Sequence, residues 1–129
     1  MYELTIKTEF SSAHNLRGYE GACERLHGHN WHVEVSIEAE KTGPMGFVMD
    51  FKELKAATAA IIDKLDHRYL NETPPFTEIN PSAELIAKFI HDELVKIIND
   101  KKGVRVSKVL VWESDTAAAS YREDKKENE

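Results

Sequence analysis

The residues best suited to chemistry are gathered in Cys23-Glu24-Arg25-Leu26-His27-Gly28-His29-Asn30. His27 and His29 stand two apart in a segment that leads into an alternating strand, so their imidazoles project from one face, about 6–7 Å apart at Cα. That is close enough for both to close on one metal ion, and Gly28 between them lets the backbone bend without a steric penalty. His14, in Phe10-Ser11-Ser12-Ala13-His14, comes one loop earlier and is the natural third ligand. Three histidines with no obvious fourth protein ligand leave a coordination position open, which marks a catalytic zinc site rather than a structural one. Cys23 is the single cysteine of the chain and can form no internal disulfide. It lies just before the histidine pair, where a nearby cation would depress its pKa. Each feature also has a plain structural reading: His-x-His pairs occur on strands that bind nothing, and a lone cysteine often only fills space.

The elements around these residues must hold them together. Tyr2, Leu4 and Ile6 alternate with Glu3, Thr5 and Lys7, a half-buried strand that delivers Phe10 and His14 to its end. Residues 11 to 26, rich in Ser, Gly, Asn and charge, read as a loop. From Trp31, the residues Val33, Val35, Ile37 and Ala39 form the apolar face of a second strand. His27 and His29 share its parity and His32 does not, so His32 reads as solvent-facing and outside the metal site. Asp50 followed by Glu53 has capping-box spacing, and Phe51, Leu54, Thr58, Ile61 and Leu65 recur at helical spacing, giving a helix from about 51 to 65. It ends at Leu65-Asp66-His67, where the acid and imidazole read by themselves as a solvated helix end.

Asn80-Pro81 opens a second helix as cap and first-turn proline, with Leu85, Ile86, Phe89, Ile90, Leu94, Ile97 and Ile98 as its stripe and His91 off it. Val104 to Trp112 is a third strand whose phase shifts between Val106 and Val109, which places a bulge near Ser107. Glu113 stands where it runs out. A fourth strand covers Thr116 to Arg122, and the charged residues 123–129 are expected to be disordered. The order strand, strand, helix, helix, strand, strand implies an α+β fold in which two helices cover one face of a four-stranded antiparallel sheet.

At 129 residues the chain fits a single domain, taken as 1–122. Its 41% hydrophobic and 31% charged residues are ordinary for a soluble globular protein. No apolar run reaches the length of a membrane span and no signal peptide opens the chain, so a cytoplasmic protein is expected, in keeping with the unpaired cysteine. A net charge of −6 without a basic cluster argues against nucleic acid and anionic membranes as partners.

Six segments in this order resemble the 6-pyruvoyltetrahydropterin synthase and 6-carboxytetrahydropterin synthase family over nearly the full length. They are Phe10-Ser11-Ser12-Ala13-His14, Cys23-x-x-x-His27-Gly28-His29-Asn30, Val48-Met49-Asp50-Phe51, Leu65-Asp66-His67-x-x-Leu70-Asn71, Asn80-Pro81-Ser82-Ala83-Glu84 and Val111-Trp112-Glu113. The resemblance implies the tunnelling fold, in which trimers close their sheets into a barrel and two trimers stack as a homohexamer with sites between subunits. It implies Zn2+ on His14, His27 and His29, Cys23 as general base, and Asp66 with His67 as a second proton-transfer group. Glu113 would anchor the pterin ring, since a carboxylate can accept two hydrogen bonds from the amino and imino edge. Glu84 matches a position near the pterin, and equally suits a first-turn carboxylate.

The substrate so implied is 7,8-dihydroneopterin triphosphate, and the short chain favours the product 6-carboxy-5,6,7,8-tetrahydropterin, formed with loss of acetaldehyde and triphosphate in queuosine biosynthesis. The 6-pyruvoyl product is the alternative from the same residues. Glu24 adds another: Glu24-x-x-His27-Gly28-His29 resembles the pattern of a related group that releases 6-hydroxymethyl-7,8-dihydropterin with a glutamate in place of the cysteine. A zinc hydrolase or a non-catalytic metal-binding module would keep the histidines without needing a thiol at position 23. For the triphosphate, Arg17, Arg25 and Lys55 are candidates.

Overall fold

The computed structural model describes residues 1–19, 25–98 and 103–124. Its frame is one long ladder: β1 (Tyr2–His14) runs antiparallel to β2 (His27–Ala39), from Tyr2 opposite Ala39 to His14 opposite His27. The even-numbered residues Ile6, Phe10, Ser12 and His14 of β1 and the odd-numbered Trp31, Val33, Val35 and Ile37 of β2 are buried on the same face. The loop expected from residue 11 therefore starts only after His14. Ser12 and His14 look like loop residues by composition, but the Ser12 hydroxyl donates to the Leu65 carbonyl and the His14 ring reaches the Pro81 carbonyl. With these partners two polar residues can continue a buried strand.

Helix α1 (Phe51–Ile62) starts at Asp50, whose carboxylate accepts the Lys52 N–H at 2.8 Å. Leu54, Thr58 and Ile61 face the core as expected, Thr58 giving its hydroxyl to the Leu54 carbonyl, whereas Phe51 stays half exposed. The helix ends three residues short of Leu65. The chain then turns into a two-residue strand, β3 (Arg68–Tyr69), which pairs parallel to β1 at Ser12 and Ala13, and into a 3₁₀ turn at Leu70–Glu72.

Helix α2 (Ala83–Ile98) begins later than expected. Ser82, not Asn80, caps it, its Oγ accepting the Leu85 N–H at 3.2 Å. The Asn80 side chain is spent elsewhere, accepting from the Arg17 N–H and donating to the Arg17 carbonyl. His91 lies off the apolar stripe and is nevertheless buried, because the Tyr121 ring covers it at 4.8 Å between centroids. The last strands are β4 (Val104–Ser114) and β5 (Ala117–Tyr121). Across from β2, the partners step from Ser36–Lys108 to Ile37–Val106, so Ser107 is the extra residue of the expected bulge.

The sheet order is β3-β1-β2-β4-β5. It is a mixed five-stranded sheet, not the four-stranded antiparallel one expected, because β3 is too short to announce itself as a strand in sequence. One face is covered: α2 lies on β4 and β5, α1 on α2 and β1, and Leu54, Ile61, Ile86, Ile90 and Leu94 join the inward sheet residues in one core. Residues 125–129 of the expected tail lie outside the described residues.

Candidate metal centre and its surroundings

Strand pairing assembles the three histidines. His14 and His27 are directly opposed, Ser12 opposes His29, and all share the buried face at the end of the β1–β2 ladder. Trp31 forms the floor, edge-on to His14 and His29 with centroids 4.8 and 5.1 Å away, and its indole N–H donates to the Ser12 carbonyl. Two of the rings are oriented by backbone. Nδ1 of His14 lies 2.7 Å from the Pro81 carbonyl and Nδ1 of His27 2.7 Å from that of Arg25. A carbonyl only accepts, so both rings carry their proton on Nδ1 and turn an Nε2 lone pair inward.

Those lone pairs meet: Nε2 of His14 and Nε2 of His27 are 2.9 Å apart. Burial is the main reason that the pKa values of His14 and His29 are lowered, which favours the neutral, ligating imidazole. Nε2 of His29 is buried and, with the Glu113 carboxylate oxygen 3.1 Å away, has no hydrogen bond of good geometry. Three imidazole nitrogens converging this closely are a donor set that fits a metal ion.

Glu113 joins the cluster. Its Oε1 is 3.1 Å from Nε2 of His29, 3.6 Å from that of His14 and 4.0 Å from that of His27. Beyond the Ser107 bulge Val109 and Val111 point inward, and Glu113 continues their alternation to the end of the core face. The pairing of β4 with β5 steps from Trp112–Ala118 to Ser114–Ala117, leaving Glu113 as the unpaired residue of a second bulge.

Asp66 and His67 form a separate dyad at the sheet edge. One Asp66 oxygen accepts the Ser11 N–H at 2.9 Å, and the other lies 3.0 Å from Nδ1 of His67. The Ser11 hydrogen bond is the chief cause of a lowered Asp66 pKa. His67 has φ +55°, a left-handed conformation rare outside glycine, and its ring is largely exposed. Among the described residues no hydrogen bond or ion pair joins His67 to the three histidines.

The remaining candidates are placed as follows. His32 points to the opposite face and pairs with Glu9 at 3.4 Å. Glu84 is exposed in the first turn of α2, and Lys55 is exposed on α1. Arg17 is engaged by backbone, its guanidinium donating to the carbonyls of Asn71, Phe76 and Ile79 at 2.8–3.1 Å. Arg25 offers its carbonyl to His27. Cys23 and Glu24 lie outside the described residues.

This arrangement can be set beside known proteins. The family model described as 6-pyruvoyl tetrahydropterin synthase matches residues 3–124. The chain belongs to that family. Among its relatives is the 6-carboxy-5,6,7,8-tetrahydropterin synthase of Synechocystis sp., 37% identical over 127 residues, covering 94% of this chain and 93% of the relative. Another is the dihydroneopterin monophosphate aldolase of Pyrococcus furiosus, 34% identical over 112 residues, covering 87% and 90%. The structure of Caenorhabditis elegans 6-pyruvoyl tetrahydropterin synthase superposes with a TM-score of 0.82 at 24% identity, covering 96% of this chain and 98% of that one, which shows a shared fold. This member of the 6-pyruvoyl tetrahydropterin synthase family is thus an enzyme of lyase type, and its family works in pterin biosynthesis.

Proposed function

We propose that the enzyme converts 7,8-dihydroneopterin triphosphate, with uptake of water, to 6-carboxy-5,6,7,8-tetrahydropterin, releasing acetaldehyde and triphosphate, with zinc held by His14, His27 and His29. The observation that carries this reading is the convergence of three imidazoles on one point in a chain of this family. Zinc suits an all-imidazole set and, when bound, supplies a Lewis acid that makes the proton beside the substrate's side-chain hydroxyls easier to remove. Cys23, as thiolate, takes that proton. Asp66 fixes the His67 ring through Nδ1, so that His67 offers Nε2 for proton relay. Glu113 accepts the amino and imino hydrogens of the pterin edge, which sets the reacting side chain toward the histidines. Glu84, exposed at the start of α2, is a further candidate contact to the ring.

The oligomer follows from the same reading. Among the described residues no hydrogen bond or ion pair joins His67 to the histidines within one chain, and β3 pairs with the outer edge of β1 at Ser12 and Ala13. A homohexamer built from two barrel-closing trimers would pair the open edges and complete each site with a neighbour's dyad. Among the described residues no helix is long and apolar enough to cross a membrane.

A second reading is favoured by the Pyrococcus furiosus relative, named as a dihydroneopterin monophosphate aldolase, together with Glu24 in Glu24-x-x-His27-Gly28-His29. With the carboxylate as base, the product would be 6-hydroxymethyl-7,8-dihydropterin. Mass spectrometry of the products of two variants separates the readings. Cys23→Ala should abolish 6-carboxy-5,6,7,8-tetrahydropterin while Glu24→Ala barely changes it. Undiminished product from Cys23→Ala would refute the thiolate base, and 6-hydroxymethyl-7,8-dihydropterin lost only in Glu24→Ala would establish the aldolase-type reaction.

A further inference from the structure

A three-histidine metal site is expected to leave its fourth position to solvent or substrate, yet here a side chain of the protein already points into it. We propose that Glu113 is a displaceable fourth metal ligand, holding the ion with the three histidines in the resting enzyme and leaving it for the ring edge when a pterin binds. The second half rests on the pterin reading above; the first does not.

Three observations carry the resting state. Hydrogen bonds to Pro81 and Arg25 fix the protons of His14 and His27 on Nδ1, so both Nε2 atoms are acceptors. They lie 2.9 Å apart, with the Glu113 oxygen 3.1–4.0 Å from all three Nε2 atoms. Converging lone pairs repel unless a cation lies among them, and a carboxylate oxygen is an accepted zinc ligand beside imidazole nitrogens. Backbone geometry supplies the aim, because Glu113 shares the inward parity of Val109 and Val111.

Two further observations make the ligand displaceable. The His14 side chain is 1% exposed and locked by its carbonyl, while the Glu113 side chain is 34% exposed, so the carboxylate has a way out that His14 lacks. Glu113 is also the residue left unpaired where β4 slips against β5, which frees its backbone from that ladder. A pterin that claims this carboxylate would therefore open the fourth position only when substrate is present. Ring recognition and metal access become one event.

The test uses the cobalt(II)-substituted enzyme, with imidazole as a neutral probe of the fourth position read from the cobalt absorption bands. Neutrality matters, since an anion would bind more tightly to any variant that lost a negative charge. If Glu113 holds the position closed for about nine-tenths of the time, Glu113→Ala should bind imidazole about tenfold more tightly than the unaltered enzyme. The nearly isosteric Glu113→Gln should do likewise, and it guards against a fold lost in the alanine variant. Pterin without a C6 side chain, added to the unaltered enzyme, should tighten imidazole binding several-fold and have no such effect in Glu113→Ala. Equal imidazole affinity in all three proteins would overturn the ligand role. Tighter imidazole binding in both variants with no pterin effect would uphold the resting ligand and overturn the exchange, and pterin fluorescence then shows whether the ring failed to bind at all.

Discussion

At the scale of single residues, neutral imidazoles and fixed carboxylates make opposite demands on pH. His27 contributes one of the converging lone pairs and is held by the Arg25 carbonyl, whereas His32 lies on the far face beside Glu9. His27→Ala should therefore purify with its metal largely lost, and His32→Ala with metal equal to the unaltered protein. Elemental analysis of both decides the assignment. Asp66 gives a prediction with a definite sign. The Ser11 N–H, above all, lowers its pKa beneath the ordinary 3.8, so the hydrogen bond favours folding above that pH and is lost as pH falls through the lower, folded value. The protection of the Ser11 amide from hydrogen exchange should hold at pH 5 and fall only below pH 3.8, as Asp66 takes up its proton. In Asp66→Asn that pH dependence should vanish, and an unchanged profile would mean that another group controls this edge.

At the scale of elements, the strands carrying the three histidines are legible, and the segments that brace them are not. Period-2 alternation placed His27 and His29 on the buried face of β2 and excluded His32. The phase change at Ser107 located a bulge, and following it through Val109 and Val111 would have put Glu113 inward beside His29. By contrast, β3 has two residues and no pattern to read, and the positive φ of His67 has no glycine to signal it. Asn80 matched a helix cap by type, but it closes on the backbone of Arg17 because two amide hydrogen bonds are available there. Arg17, a triphosphate candidate by charge, ties the loop after β1 to the 71–79 segment through its guanidinium, just before the Pro81 carbonyl that orients His14. Arg17→Ala should cost about 1–2 kcal/mol in urea unfolding. Arg17→Lys should recover little of it, since an ammonium lacks the planar fork that reaches several carbonyls at once. Full recovery by lysine would show that charge alone matters at this position.

At the scale of the whole molecule, the sheet is open and its two ends differ. On one side β1 is covered by β3 only at Ser12 and Ala13, and on the other β5 is the last strand. Among the described residues nothing else pairs with that edge of the thirteen-residue strand, which invites another strand, and an interface between unlike edges of successive copies closes into a ring when the rotation allows it. Such a ring would also bring the Asp66–His67 dyad of one subunit to the histidines of the next. Light scattering should then find a trimer or hexamer, and a stable, active monomer would defeat the proposal. Subunit mixing asks about the site itself. His27→Ala and His67→Ala should each be inactive alone, for lack of metal and of the proton relay. Dissociated, mixed in equal amounts and reassembled, they should regain about a quarter of full activity, because about one site in four would combine an intact histidine set with a neighbour's intact dyad. Recovery fails if both groups act within one chain, since every subunit of the mixture then carries one of the two defects.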